Sequence, residues 1–188
     1  LLGPELFIAF AKAGMLSHAG HCQTFSAQAD GYVRGEGVAA LVLTSLDAAR
    51  DNGDYIYGQV LGSAQYHGGR AHSFTAPNPK AQAEVIQHAW QQAGHSPRQA
   101  HLIETHGTGT PLGDPIEINA LKKAVPVDDN DAPIVLGALK SQIGHLEPAA
   151  GIASVVKSLL CLQHRQQVGN LHQQPLNPQI SLDDSPVS

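Results

Sequence analysis

Two histidine-containing loops hold the residue types best suited to chemistry. The first runs Glu104-Thr105-His106-Gly107-Thr108-Gly109-Thr110-Pro111, and the second Lys140-Ser141-Gln142-Ile143-Gly144-His145-Leu146-Glu147. At the end of a strand, a ring nitrogen of His106 can donate to a developing oxyanion or shuttle a proton. Gly107 and Gly109 allow the backbone to approach a ligand closely, and Thr108 and Thr110 set hydroxyls at alternate positions. The same composition also makes an ordinary turn with capping hydroxyls and a satisfied histidine. In the second loop Lys140 and His145 meet at a strand-to-helix junction, where a cation can hold a carboxylate and a neutral imidazole can act as an electrophile. The competing reading is a solvated lysine and a helix-capping histidine. A dinucleotide loop is disfavoured, because Gly107, Gly109 and Gly113 miss the G-x-G-x-x-G spacing by one residue.

Other constellations carry less. The chain has 11 histidines, but none falls in an H-E-x-x-H or Cys/His finger pattern, and His101 and His106 flank a strand with opposite facing. No metal is expected. His18, His21, His88, His95 and His164 read as polar surface residues. Ser154-Val155-Val156-Lys157 matches the S-x-x-K pattern of acyl-serine enzymes, without that pattern's companion motifs. Cys22 lies in a polar loop and Cys161 late in an apolar helix, and neither has the strand-turn-helix setting of an activated nucleophile.

Both loops need elements to position them. The short strand His101 to Glu104 runs into the first loop, and Asp114-Pro115-Ile116-Glu117 reads as an N-cap with a capping-box glutamate, opening a helix to about Ala124. An acidic, Pro-containing loop then leads to an apolar strand, Ile134 to Leu139, and the second loop to a helix from Ala149 to Leu162. That helix is apolar nearly all round and is expected to be central. Upstream, helices are expected from Pro4 to Ala13 and between the Asn78 cap and Gly94, with Val85, Ile86, Ala89, Trp90 and Ala93 on one face. Gly37 to Leu43 and Tyr55 to Tyr66 read as strands, the first a continuous apolar run of the kind covered on both faces. Strand, loop, helix occurs twice, and open α/β sheets gather sites at the carboxyl ends of strands.

Composition agrees with a broadly buried α/β chain. Of 188 residues 42% are hydrophobic and only 14% charged, below the roughly 25% of ordinary soluble domains. A net charge of −5, with 11 Lys+Arg spread thinly, offers no basic stripe for nucleic acid. No apolar run is long enough to span a membrane; the longest candidate, Ala149 to Leu162, carries Ser154, Lys157 and Ser158. The 2 cysteines cannot make a disulfide scaffold, so a cytoplasmic setting is expected.

At the level of longer motifs, His106 to Glu117 and Lys140 to Glu147 resemble the two histidine motifs of β-ketoacyl synthases, and Ala29-Asp-Gly-Tyr-Val-Arg-Gly-Glu-Gly37 resembles a third family stretch. The tail from Leu171 to Asp183 also resembles this family, most closely the ketosynthase domains of modular polyketide synthases. The resemblance implies a thiolase-like α/β fold, here incomplete: about 1–66 would be the remainder of the N-terminal half and about 67–188 most of the C-terminal half. It implies an acyltransferase that performs decarboxylative Claisen condensation. An active-site cysteine takes an acyl chain, a malonyl-type extender loses CO2, and its carbanion attacks the acyl thioester. Carried over by position, His106 and His145 would be the catalytic histidines, Lys140 would pair with Glu117 and fix the histidine network, and Thr108 and Thr110 would hydrogen-bond a phosphopantetheine arm. No cofactor is expected to bind directly; the implied partners are an acyl carrier protein, whose phosphopantetheine carries the substrates, and a second copy of the parent enzyme. Two departures stand out. Gln142 occupies a position that is commonly Asn, and the motif bearing the nucleophilic cysteine has no counterpart, nor has a Gly-rich strand segment closing the second half. The chain is therefore expected to be a C-terminal portion, inactive alone. The alternative is a condensation-incompetent partner or gatekeeping domain.

Overall fold

A computed structural model describes residues 3–70, 77–127, 132–183 and 185–188. The elements are α1 (Pro4–Lys12), α2 (Leu46–Asn52), α3 (Pro79–Ala93), β1 (Leu102–Glu104), α4 (Gly113–Ala124), β2 (Val135–Gly137), α5 (Lys140–Ile143) and α6 (Ala150–His164). α3 follows the sequence signals closely. The Asn78 side chain accepts from the N–H groups of Lys80 and Ala81, Pro79 opens the first turn, and Gly94 ends the helix at φ +70. The acidic loop expected between Ala124 and Ile134 lies partly outside the described residues.

β1 and β2 pair in parallel, Leu102 with Val135, Ile103 with Leu136 and Glu104 with Gly137. The C-terminal tail lies along the other edge of β2: Leu136 N–H donates to the Ser188 carbonyl at 3.0 Å, and Ser188 N–H donates to the Ile134 carbonyl at 2.9 Å. Behind this layer lies the core, made by Ile118 and Leu121 of α4 with Val125 just past its end, Leu136 of β2 with Ile134 just before it, and Phe25, Ile180 and Val187 from irregular chain. α3 packs against α4. The parallel pairing delivers both β-to-α loops to one end of the strands, as an α/β layer requires.

Three expectations change. Gly37 to Leu43 and Tyr55 to Tyr66 are extended, but among the described residues neither enters a ladder. Apolar strands of this kind need neighbours on their edges and faces; without them Val38, Val42 and Val60 stand 96%, 98% and 75% exposed. The second segment does lie on helices, with Gly58 against Leu159 of α6 and Gly62 against Ala89 and Ala93 of α3. α6 is not central either: Lys157 is its one buried residue, Leu162 is exposed, and Leu160 is exposed beside an open apolar groove of about 400 Å³. Finally, the capping box at the start of α4 does not form. The helix begins at Gly113 with no side-chain cap, because the carboxylates of Asp114 and Glu117 turn onto loop N–H groups instead.

Candidate active site

From the end of β1 the chain leaves through Thr105, whose hydroxyl donates to the Gly137 carbonyl at 2.7 Å and locks the first loop to β2. Gly107 and Gly109 then take φ +44 and +77, where a side chain is unfavourable. Gly109 has no room for one, since a Cβ there would lie 2.8 Å from the Gln23 backbone nitrogen. This tight turn is secured from two sides. Thr24 donates its hydroxyl to the Gly107 carbonyl at 2.8 Å, and buried Asp114 accepts from Phe25 N–H at 2.8 Å and Gly109 N–H at 3.2 Å.

His106 is gripped by its own backbone. Glu117 accepts from the N–H groups of His106 and Gly107 at 2.6 and 2.9 Å, one carboxylate oxygen to each. Lys140, buried at the start of α5, donates to the His106 carbonyl at 2.5 Å. Lys140 and Glu117 thus hold opposite sides of one residue. Among the described residues no direct ion pair joins them, but Glu117 acts through space to favour the charged form of Lys140.

His145 arrives from the other loop. Its N–H donates to the Val33 carbonyl at 2.7 Å, and its carbonyl accepts from Gly35 N–H at 2.9 Å, a parallel bridge to the stretch from Ala29 to Gly37. The ring packs 5.2 Å from Tyr32 and 5.5 Å from the His106 ring, the two imidazoles standing edge to face at 84°. Its Nδ1 accepts from the Glu147 N–H at 2.9 Å. A neutral imidazole that accepts at Nδ1 carries its proton on Nε2.

The pKa values of both rings are lowered. Burial, then the Lys140 cation and the neighbouring His145, push the His106 pKa down to about 4, although one edge of the residue remains open to solvent. Burial and Lys140 lower that of His145 as well. Lys140 is itself lowered by burial, against Glu117 and Glu104, which favour its charged form. Burial raises the Glu117 carboxyl, opposed by its two N–H donors. Thr108 is buried with its hydroxyl 3.5 Å from that of Thr110, which accepts from Gly113 N–H at 3.2 Å.

His106, His145, Lys140 and Glu117 therefore come together at the strand ends, and Thr108 and Thr110 lie in the same turn as His106. Neither cysteine joins them usefully. Cys22 is buried, its thiol engaged with the Val33 backbone and its pKa raised by burial, and Cys161 lies along the α6 groove. Lys157 binds Glu104 at 2.7 Å rather than any serine, which removes the acyl-serine reading. No group of three or more potential metal ligands occurs among the described residues. The longer side chain of Gln142 is accommodated by donating to the Gly169 carbonyl at 2.9 Å.

Sequence reasoning missed four contributors. Arg34 and Glu147 form a bidentate pair at 2.5 and 3.1 Å, with the Arg34 side chain fully buried. Asn170 receives the Ala138 N–H and donates to the Leu136 carbonyl, fixing the end of β2. Glu104 accepts from Leu139 N–H at 2.5 Å as well as from Lys157. Each pairing joins distant parts of the chain, and the hint available was that Arg34 and Glu147 both sit inside the longer motifs.

Fold and site together define an α/β protein with two facing histidines at the strand ends. The family model for the β-ketoacyl synthase C-terminal domain matches residues 57–174, and that for the N-terminal domain residues 1–49. The chain belongs to the β-ketoacyl synthase family. It is 54% identical over 190 residues to polyketide synthase PksN of Bacillus subtilis (strain 168), covering 97% of this chain and 4% of that protein. It is 45% identical over 185 residues to polyketide synthase ThaG of Burkholderia thailandensis, covering 97% and 3%. Among solved structures, the oxazolomycin ketosynthase domain OzmH KS7 of Streptomyces albus JA3453 superposes with a TM-score of 0.95 at 41% identity, over 99% of this chain and 33% of that one. The ketosynthase from module 6 of the bacillaene synthase of Bacillus subtilis 168 gives 0.95 at 38% identity, over 100% and 34%. The chain thus carries part of a thiolase-like ketosynthase fold and spans about a third of those solved chains.

Proposed function

We propose that this chain supplies the histidine half of a ketosynthase site for decarboxylative Claisen condensation in polyketide assembly. The observation that carries this reading is the pair of imidazoles 5.5 Å apart, one of them accepting a backbone N–H at Nδ1 and so free to donate from Nε2. When a malonyl thioester loses CO2, the electron pair of the breaking C–C bond moves onto the thioester oxygen as an enolate. N–H donors already aimed at that oxygen stabilise the charge without reorganising, and such donors contribute roughly 10²–10³ each. The carbanion then attacks an acyl thioester carbonyl, and the thiolate leaves. His106 and His145 are the donors on this reading, and Lys140 and Glu117 are positioning residues that hold the His106 backbone. Thr108 and Thr110 offer hydroxyls to a phosphopantetheine arm presented by an acyl carrier protein. The nucleophilic thiolate comes from outside this chain, since Cys22 is buried and its thiol disfavours ionisation. Pairing of two such enzymes is part of the same proposal.

The test is His145→Ala in the ketosynthase that contains this chain. Acyl loading is expected to persist while condensation falls at least about 10²-fold. Product formation at the wild-type rate would overturn the assignment.

A further inference from the structure

We infer that Arg34 is a positioning residue that sets the tautomer of His145 through Glu147. This deepens the proposed function, because it rests on His145 acting as an Nε2–H donor. The proton stays on Nε2 while Nδ1 is occupied by a donor, and that donor is the Glu147 backbone N–H at 2.9 Å. Glu147 delivers it from φ +51, a left-handed conformation in which a Cβ crowds the following carbonyl oxygen. Something must hold it there, and the side chain of the same residue provides the hold. Its two carboxylate oxygens accept from Arg34 Nε and Nη2 at 2.5 and 3.1 Å, a fork-to-fork grip that fixes direction as well as distance.

Arg34 is in turn enclosed. Its side chain is fully buried, with the guanidinium carbon 4.2 Å from the centre of the Phe7 ring and 5.5 Å from that of Phe10. Its backbone lies in the parallel bridge to His145. The ring and the residue that orients it are therefore held by one strand-like segment. Lysine cannot replace this arrangement, because an ammonium offers no planar fork.

Glycine adopts φ +51 without the steric penalty, which gives the test its control. In ¹⁵N-histidine spectra of the ketosynthase without substrate, His145 is expected to show one Nε2–H tautomer. Arg34→Met and Glu147→Gln should each admit the Nδ1–H form, and Arg34→Met/Glu147→Gly should recover most of the wild-type signal. In condensation assays Arg34→Met should lower kcat roughly ten- to a hundredfold with KM and acyl loading little changed. If Arg34→Met does not fold, Glu147→Gln decides. An unchanged Nε2–H signal in the folded variants would overturn the inference. Tautomer shifts as described, with His145→Ala still condensing normally, would instead overturn the proposed function and leave this inference standing.

Discussion

Lys157→Met gives a sharp test of how the two loops are fastened. Lys157 and Glu104 meet at 2.7 Å with side chains only 8% and 6% exposed, and the second Glu104 oxygen accepts from Leu139 N–H at 2.5 Å. At that separation an effective dielectric of ~20 gives a gross attraction of about 6 kcal/mol, much of it offset by the desolvation of both ions. Removing the cation leaves the offset without the attraction, a buried carboxylate with one N–H donor. Such orphaned charges cost about 3–5 kcal/mol, or about 6–20 °C in Tm for a chain of this size. Glu104→Gln/Lys157→Met should recover most of the loss, because a neutral amide keeps the Leu139 bond and needs no counter-ion. Urea unfolding of the wild type, both single variants and the double variant closes the cycle. A loss below about 1 kcal/mol for Lys157→Met is the value of an exposed pair and would refute the claim that this one is buried.

Two further outcomes follow from the loop geometry and the histidine field. Gly109→Ala should cost about 2–4 kcal/mol, from φ +77 strain plus displacement of the Gln23 backbone 2.8 Å away, whereas Gly94→Ala, at φ +70 with nothing within 4 Å, should cost about 1–2 kcal/mol; equal losses would show that close packing at Gly109 is immaterial. His106, with its pKa lowered from 6.5 to about 4, should stay largely neutral at pH 5.5, where an unperturbed imidazole is about 90% protonated. A lowered histidine pKa contributes stability that is fully present above about 6.5 and is lost as pH falls through about 4. The wild type should accordingly lose stability relative to His106→Gln over that window, and a pH-independent difference would contradict it.

How much of this was legible in the sequence depended on the distance over which each signal acts. α3 was readable because Asn78, Pro79 and Gly94 are local signals that each satisfy or end the helix within a turn. The two histidine loops were readable because strand-to-helix junctions place their residues by backbone alone. The Arg34–Glu147 pair joins residues 113 apart and Lys157–Glu104 joins residues 53 apart, and no periodicity encodes such partners. Glu117 shows the same limit from the other side. Its spacing from Asp114 fits a capping box, yet N–H groups of the neighbouring loop compete for the carboxylate and win. Gly37 to Leu43 has the composition of a buried strand, but composition cannot supply the neighbouring strand that makes one.

The same long-range contacts place a buried cation behind the histidines. Lys140 spends its charge on the His106 carbonyl, on the backbone side of the loop. Burial first, and then its field, lower the pKa of both rings. For the proposed reaction this placement matters. A cation facing the substrate would stabilise the malonyl carboxylate in the ground state, and binding energy expressed there does not speed the loss of CO2. Neutral N–H donors interact weakly with a thioester carbonyl and strongly with the enolate oxygen it becomes, which is the difference that lowers the barrier. On the proposed reading Glu117 holds the first donor by its backbone, and the inferred role of Arg34, through Glu147, is to keep the proton of the second on the nitrogen left free to donate. On the proposed reading, a cation placed on the open side of the two rings should tighten extender binding while slowing decarboxylation.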